Sequence, residues 1–248
     1  MTAVALNAIR QGDGPPVLIA HGLFGSARNW GAIAKRLSSD FAVTTVDMRN
    51  HGESPRAETN SYEDMAADLE ALGGRGHVIG HSMGGKAAMM LALQHPERVE
   101  RLIVGDIAPV VYTHTQTPLI NAMRAVDLSR VEARGDADAL LTDAVPEAAI
   151  RAFLLQSLDV KARAWRLNLD VLAAEMDRII GFPDVEGRFE EPTLFLSGAE
   201  SDYVLPEHRE RIRELFPKAR FAKISGAGHW LHAEKPKEFE ASVRVFLG

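Results

Sequence analysis

A chain of 248 residues, 46% hydrophobic and 25% charged, can bury one large core or one core carrying an insertion. Its net charge of -6 disfavours nucleic acid or an anionic membrane surface as the main partner. The lack of cysteine excludes disulfides, zinc–thiolate sites and a cysteine nucleophile, and fits a reducing compartment.

The N-terminal stretch Ala3 to Ile9 alternates weakly and reads as an edge strand. It lacks a charged start followed by a long apolar run, so no signal peptide is expected, and no later run approaches membrane-span length. A cytoplasmic protein is therefore expected. Gly12 to Pro16 is a turn cluster. Val17 to Ala20 is short and wholly apolar, as in a strand buried on both faces, and ends at His21-Gly22. A helix follows over Asn29 to Leu37, then a strand over Phe41 to Val46 that ends at Asp47 and a polar loop to Ser54. Ser61 is placed to cap a helix over Tyr62 to Leu72. His77 to Ile79 is a strand, and Met83 to Gln94 a helix closed by His95-Pro96. Val99 to Val104 is the next strand, with Asp106 just past its end.

Alternating short apolar strands and helices imply a mostly parallel central sheet flanked by helices, an α/β architecture. Ligands of such sheets sit beyond the carboxyl ends of the strands, where His21, Asp47, Ser82 and Asp106 all fall. From about 111 to 183 the pattern changes to helix-prone sequence with little strand signal, including amphipathic stretches at Ala148 to Leu158 and Lys161 to Ile180. We read residues 111–183 as an inserted helical cap, and 1–110 with 184–248 as the core domain. The alternation resumes with strand Thr193 to Ser197, helix Pro206 to Phe216, strand Ala219 to Ile224 and helix Lys235 to Leu247.

The turn between the His77 strand and the Met83 helix carries the chemistry. Gly80-His81-Ser82-Met83-Gly84 fits G-x-S-x-G, in which a sharp strand-to-helix turn strains the serine and lifts its hydroxyl clear of the backbone. The helix N-terminus there favours developing negative charge. A serine hydroxyl needs a base beside it, and the glycine-rich Gly226-Ala-Gly-His229-Trp230 supplies one. His21-Gly22-Leu23-Phe24-Gly25 follows a strand and suits an oxyanion hole built from the amides of Leu23 and Met83. His229 and His232 lie three residues apart, but no third ligand is apparent, so no metal is expected. His51, His95, His114 and His208 sit in polar or terminal settings and read as solvated, whereas His81 is a pocket candidate.

Over nearly its full length the chain resembles an α/β-hydrolase of the serine esterase type. The motifs that carry the resemblance are residues 21–26, 47–54, 80–86 and 226–230. More narrowly, Lys86, Asp106-Ile-Ala-Pro109, Trp165-Arg-Leu-Asn-Leu169 and Gly-His-Trp-Leu-His232 resemble the carboxylesterase subgroup that includes the abhydrolase-domain-11 proteins. The resemblance implies hydrolysis of small carboxylic esters through an acyl-enzyme on Ser82, with His229 as the base and no cofactor. Thioesterase, carbon–carbon hydrolase, lactonase and perhydrolase chemistry use the same apparatus. The family usually carries its acid in a pattern like G-x-x-D-x-x-V. Here Gly198-Ala-Glu-Ser201-Asp202-Tyr-Val204 puts Ser201 in that place and Asp202 one residue late. Asp106 is the other position from which an acid reaches the histidine, and the subgroup resemblance favours it over Asp202. Phe24, Trp165, Tyr203 and Trp230 join His81 as candidates for the substrate pocket.

Two rival readings have other origins. Gly80-x-x-x-x-Gly85-Lys86 matches a phosphate loop up to Ala87, which lacks the hydroxyl that holds magnesium, and Asp106 imitates a metal-binding aspartate. The other rival is a catalytically silent relative that only binds a ligand, against which the intact Ser82 and His229 argue. The expected partner is a small-molecule ester. The oligomeric state does not follow from the sequence.

Overall fold

The computed structural model describes residues 3–248. Strands β1 (Ala8–Gln11), β2 (Pro16–Ala20), β3 (Ala42–Val46), β4 (Gly76–His81) and β5 (Val99–Gly105) precede a two-residue-per-strand hairpin, β6 (Leu158–Asp159) and β7 (Ala164–Trp165), and are followed by β8 (Thr193–Gly198) and β9 (Ala219–Ile224). Apart from the β6–β7 hairpin, they form one seven-stranded sheet in the order β1-β3-β2-β4-β5-β8-β9. Only the edge pair β1–β3 is antiparallel. Every residue of β4 and β8 is buried. Helices cover both faces of these strands, which is why they read as unbroken apolar runs.

The edge strand is shorter and later than the alternation of Ala3 to Ile9 predicts. Side chains take up the backbone before it: Val4 N–H donates to Asp68 Oδ1 at 2.7 Å and Asn7 N–H to Ser54 Oγ at 2.8 Å. With those donors spent, ladder pairing begins only at Ala8 opposite Val46.

Helices α1 (Gly31–Leu37), α2 (Tyr62–Ala71) and α3 (Met83–Gln94) follow β2, β3 and β4. Between β5 and β8 lie α4 (Thr117–Ala125), α5 (Arg134–Leu141), α6 (Ala148–Leu154), α7 (Leu169–Ala174) and α8 (Met176–Ile180), and the chain ends with α9 (His208–Leu215), α10 (Leu231–Glu234) and α11 (Pro236–Leu247). Ser61 caps α2, its Oγ accepting from Asp64 N–H at 3.2 Å. On one face of the sheet Trp30, Ile33, Leu37, Phe239 and Val243 pack on Val17, Ile19 and Ile79. On the other, Met65, Leu69, Met89 and Ile212 pack on Val78, Leu102 and Phe195. This second core runs on without a break into Ile120, Met123, Leu154 and Leu172 of the segment between β5 and β8.

Within that segment the long amphipathic stretch Lys161 to Ile180 is not one helix. Arg163 turns with φ 51°, and the backbone then pairs with the loop after β3. Gly52 N–H donates to Arg166 O at 2.8 Å and Asn168 N–H to Asn50 O at 2.9 Å. Helical bonding restarts only at Leu169. Likewise the stretch Ala148 to Leu158 leaves the α conformation after Leu154, tightening into a 3-10 turn over Leu155–Ser157. Among the described residues no helix is long and apolar enough to cross a membrane.

The β4–α3 junction is the sharpest feature of the backbone. Ser82 takes φ 52° and ψ -121°, a strained conformation for a residue with a side chain. The chain passes so close to itself that a Cβ on Gly80 would lie 2.3 Å from Gly84 O, and one on Gly84 2.4 Å from the carbonyl oxygens of Ala20 and His21. Backbone on all sides cannot give way. Gly84→Ala is therefore expected to destabilise the fold by about 3 kcal/mol or more, read as a lowered urea midpoint. A midpoint equal to wild type would mean that the turn is looser than this packing requires.

Candidate active site

A cavity of about 280 Å³ opens at the carboxyl ends of the strands. Ser82, just past β4, and His229, after β9, both line it. So do Leu23, Phe24, His81, Met83, Tyr203 and Trp230. The β5–β8 segment adds apolar side chains to the wall, among them Leu119, Ile150, Phe153 and Ile179.

His229 stands in the loop after β9, and its Nδ1 lies 2.7 Å from Asp106 Oδ2. Asp106 is fully buried just past β5, itself in a left-handed turn with φ 50°. Its carboxylate accepts two further bonds, from Gly198 N–H to Oδ1 at 3.1 Å and from Ser201 Oγ–H to Oδ2 at 2.5 Å. Acceptance by the carboxylate assigns the proton to Nδ1 and leaves the lone pair on Nε2. Asp202 is exposed and makes no hydrogen bond to His229. Ser201, the residue at the place where the family pattern has an acid, thus donates to the carboxylate oxygen that the imidazole uses.

Two more groups hold the ring. Tyr203 stacks on it, with centroids 4.0 Å apart and planes 21° apart. Burial pushes the Tyr203 phenol up to about 12, so this partner stays neutral. Behind the ring, His81 Nε2–H donates to the His229 carbonyl at 2.8 Å, tying the loop to the serine's own turn.

The turn after β2 presents the other feature. Gly25 N–H closes on Gly22 O at 3.0 Å, and Phe24, at φ 63°, directs its N–H to His51 Nε2 at 3.2 Å. Among the described residues the amides of Leu23 and Met83 are left with no acceptor. Met83 opens α3, where an N–H has no acceptor within its own helix, and Leu23 is half-buried at the same cavity, so both amides are free to receive an acceptor bound there.

His51 corrects the solvated reading given by its polar surroundings. It is 1% exposed, donates from Nδ1 to Arg49 O at 2.8 Å and accepts from Phe24. His21 is equally buried, donating to Gly22 O at 2.7 Å and accepting from Met48 N–H at 2.9 Å. The two rings buttress the Gly22–Gly25 turn. Nothing local in the sequence separates such a histidine from a solvated one. Trp165 is also corrected as a pocket candidate. It is buried away from the cavity, and its indole N–H donates to Met123 O at 3.0 Å, so it packs the segment internally.

The phosphate-loop spacing forms no phosphate loop. Gly85 and Lys86 lie inside α3, and Lys86 Nζ donates to the carbonyls of Val110 and Ile180 at 3.1 and 2.9 Å and to that of Gly181. Burial pulls its pKa down to about 7. His232 stacks on Trp30 at 4.1 Å.

Burial keeps the histidines around the site neutral. It lowers His51 and His232 to about 3 and brings His21 and His81 below the ordinary 6.5. Below 6.5 the unfolded chain protonates these rings while the folded protein does not. Their contribution to stability is therefore complete above that pH and drains away as the pH falls toward their folded values. Each ring adds up to about 1.4 kcal/mol per pH unit to the loss. Urea midpoints taken from about pH 7 down to about pH 5 should fall accordingly, and His51→Gln should remove one ring's share of the slope. An unchanged slope in that variant would contradict the assignment.

The sheet, the strained serine at the β4–α3 turn and the carboxylate–imidazole pair beyond the strand ends define an α/β hydrolase fold. The family model of that description matches residues 15–236, and the chain belongs to that family. The chain is 46% identical to the mouse (Mus musculus) sn-1-specific diacylglycerol lipase ABHD11, over 94% of its own length and 81% of that protein's. It is 38% identical to Esterase YbfF of Escherichia coli, with 98% and 97% of the two chains covered. Among solved structures, a marine microorganism esterase superposes with a TM-score of 0.94 at 37% identity, over 99% of this chain and all of that one.

Proposed function

We propose that this protein is a serine carboxylesterase that hydrolyses small carboxylic esters through an acyl-enzyme on Ser82. The observation that carries the reading is the 2.7 Å contact between His229 Nδ1 and Asp106, beside a cavity that Ser82 and two unpaired amides also line. The relatives named esterase or lipase support it.

In this mechanism His229 Nε2 takes the Ser82 proton as Oγ attacks the ester carbonyl. The amides of Leu23 and Met83 hold the developing oxyanion. His229 then protonates the leaving alcohol, and a water activated by the same ring releases the carboxylic acid. Asp106 keeps the proton on Nδ1 and stabilises the imidazolium; Ser201 orients that carboxylate. No step calls on a metal or cofactor. Residues 111–183 act as a lid whose apolar side chains receive the acyl chain, with Phe24, His81, Tyr203 and Trp230 completing the pocket. The substrate is a small-molecule ester, and the cysteine-free chain suits the cytoplasm.

A fluorophosphonate should label the protein once, on the peptide that carries Ser82, and p-nitrophenyl butyrate should be turned over. Absence of both labelling and turnover across a panel of esters would reject the proposal.

A further inference from the structure

Lys86 is the residue that neither the phosphate-loop reading nor the proposed mechanism uses, and its surroundings are specific. Its main chain belongs to the nucleophile's turn, since Lys86 N–H donates to Ser82 O at 3.0 Å. Its side chain, 1% exposed, reaches both chain segments by which the β5–β8 region joins the core. Val110 O lies on the incoming segment, and the carbonyls of Ile180, at the end of α8, and Gly181 lie on the outgoing one. An ammonium has three N–H bonds, and three carbonyls receive them. The rings of Tyr112 and Tyr62 flank it, with centroids 4.8 and 5.7 Å from Nζ. Two neighbouring bonds close the same junction: Tyr112 N–H to Ile180 O at 3.0 Å, and Tyr62 Oη–H to Ile179 O at 2.6 Å.

From this geometry we infer that Lys86 is a specificity-determining clamp, fastening both chain segments of the lid's neck to the nucleophile helix and thereby setting the depth of the acyl pocket. Tyr62, Tyr112, Ile179 and Ile180, which form or adjoin the neck, themselves line the cavity. Loosening the neck therefore moves cavity wall and not remote surface. A methionine at 86 keeps the apolar stem but leaves the carbonyls of Val110 and Gly181 without their donor. The lid can then lift, and the pocket lengthens. The inference rests on the esterase reading for its consequence, but the clamp itself is readable without catalysis.

The test uses Lys86→Met in the full chain with two readouts. Hydrogen exchange followed by mass spectrometry should show faster exchange in peptides covering 110–112 and 179–182, with β4 and β8 unchanged. The ratio of kcat/KM for p-nitrophenyl decanoate to that for the butyrate should rise by about tenfold, since each methylene admitted to an apolar pocket is worth an order of magnitude or more. Unchanged neck exchange overturns the clamp. Faster exchange with an unaltered chain-length ratio overturns its control of specificity. If Lys86→Met does not fold, Tyr62→Phe removes one bond to the same helix end and must move both readouts in the same direction, or the inference fails. A wild-type protein that hydrolyses no ester would reject the esterase reading instead, while the exchange result would still judge the clamp.

Discussion

Ser82→Ala is expected to lower kcat for p-nitrophenyl butyrate by five to six orders of magnitude, about the cost of removing the nucleophile from a serine–histidine pair. The residual rate would come from the unpaired amides of Leu23 and Met83 and from binding, which the substitution leaves in place. Stability should hardly change, within about 0.5 kcal/mol, because the Ser82 hydroxyl makes no hydrogen bond among the described residues and alanine bears the same strain at φ 52°. Ser82→Gly separates the two roles of the position. It too loses activity, but it relieves the left-handed strain and should raise stability by about 1 kcal/mol or more. Retention of wild-type turnover by either variant would mean that the nucleophile lies elsewhere.

Asp106→Asn is the second large effect, an expected loss of about 10⁴ in kcat. The carboxylate accepts from Nδ1–H, and the proposed mechanism uses the Nε2 lone pair so left as the base. An amide at 106 can present its NH₂ to Nδ1 instead, moving the proton to Nε2, where it faces the serine as a donor. The fold should survive, because the asparagine oxygen still accepts from Gly198 N–H and its NH₂ can donate to Ser201 Oγ, a hydroxyl that accepts as readily as it donates. Asp202→Asn is expected to change kcat by no more than about twofold, as Asp202 is exposed and not bonded to the imidazole. Side-by-side pH–rate profiles of the two variants decide the matter. Collapse of the Asp202 variant alone would move the acid to the loop after β8.

The acid shows where sequence reading reaches its limit. Both candidates stand just past strands whose carboxyl ends meet the same cavity, and either loop is long enough to reach the imidazole. Which one does so depends on the turn at Asp106, φ 50°, and on Ser201 occupying the space a second carboxylate would need. The same limit applies to His51 and Trp165. Neighbours in the chain say little about either, because burial is decided by what lies across the fold. Loop residues 50–52 pair with 166–168, and that pairing hides the imidazole and breaks the long amphipathic stretch into a hairpin and two short helices. Lys86 is legible as a motif residue, of a phosphate-loop spacing and of the esterase subgroup alike, but a spacing of glycines says nothing about where a lysine side chain ends.

What the sequence determined by itself was local: the doubly covered strands, the helix caps, the strained turn at Ser82 and the histidine after β9. Each follows from steric and hydrophobic constraints acting over a few residues, and these constraints are written in residue order. The tertiary structure alone decided the partnerships: Asp106 with His229, Ser201 with Asp106, His51 with Phe24, and Lys86 with the neck. Each is a contact of a few ångströms between residues 24 to 123 positions apart, and only the packing of the whole chain sets such distances.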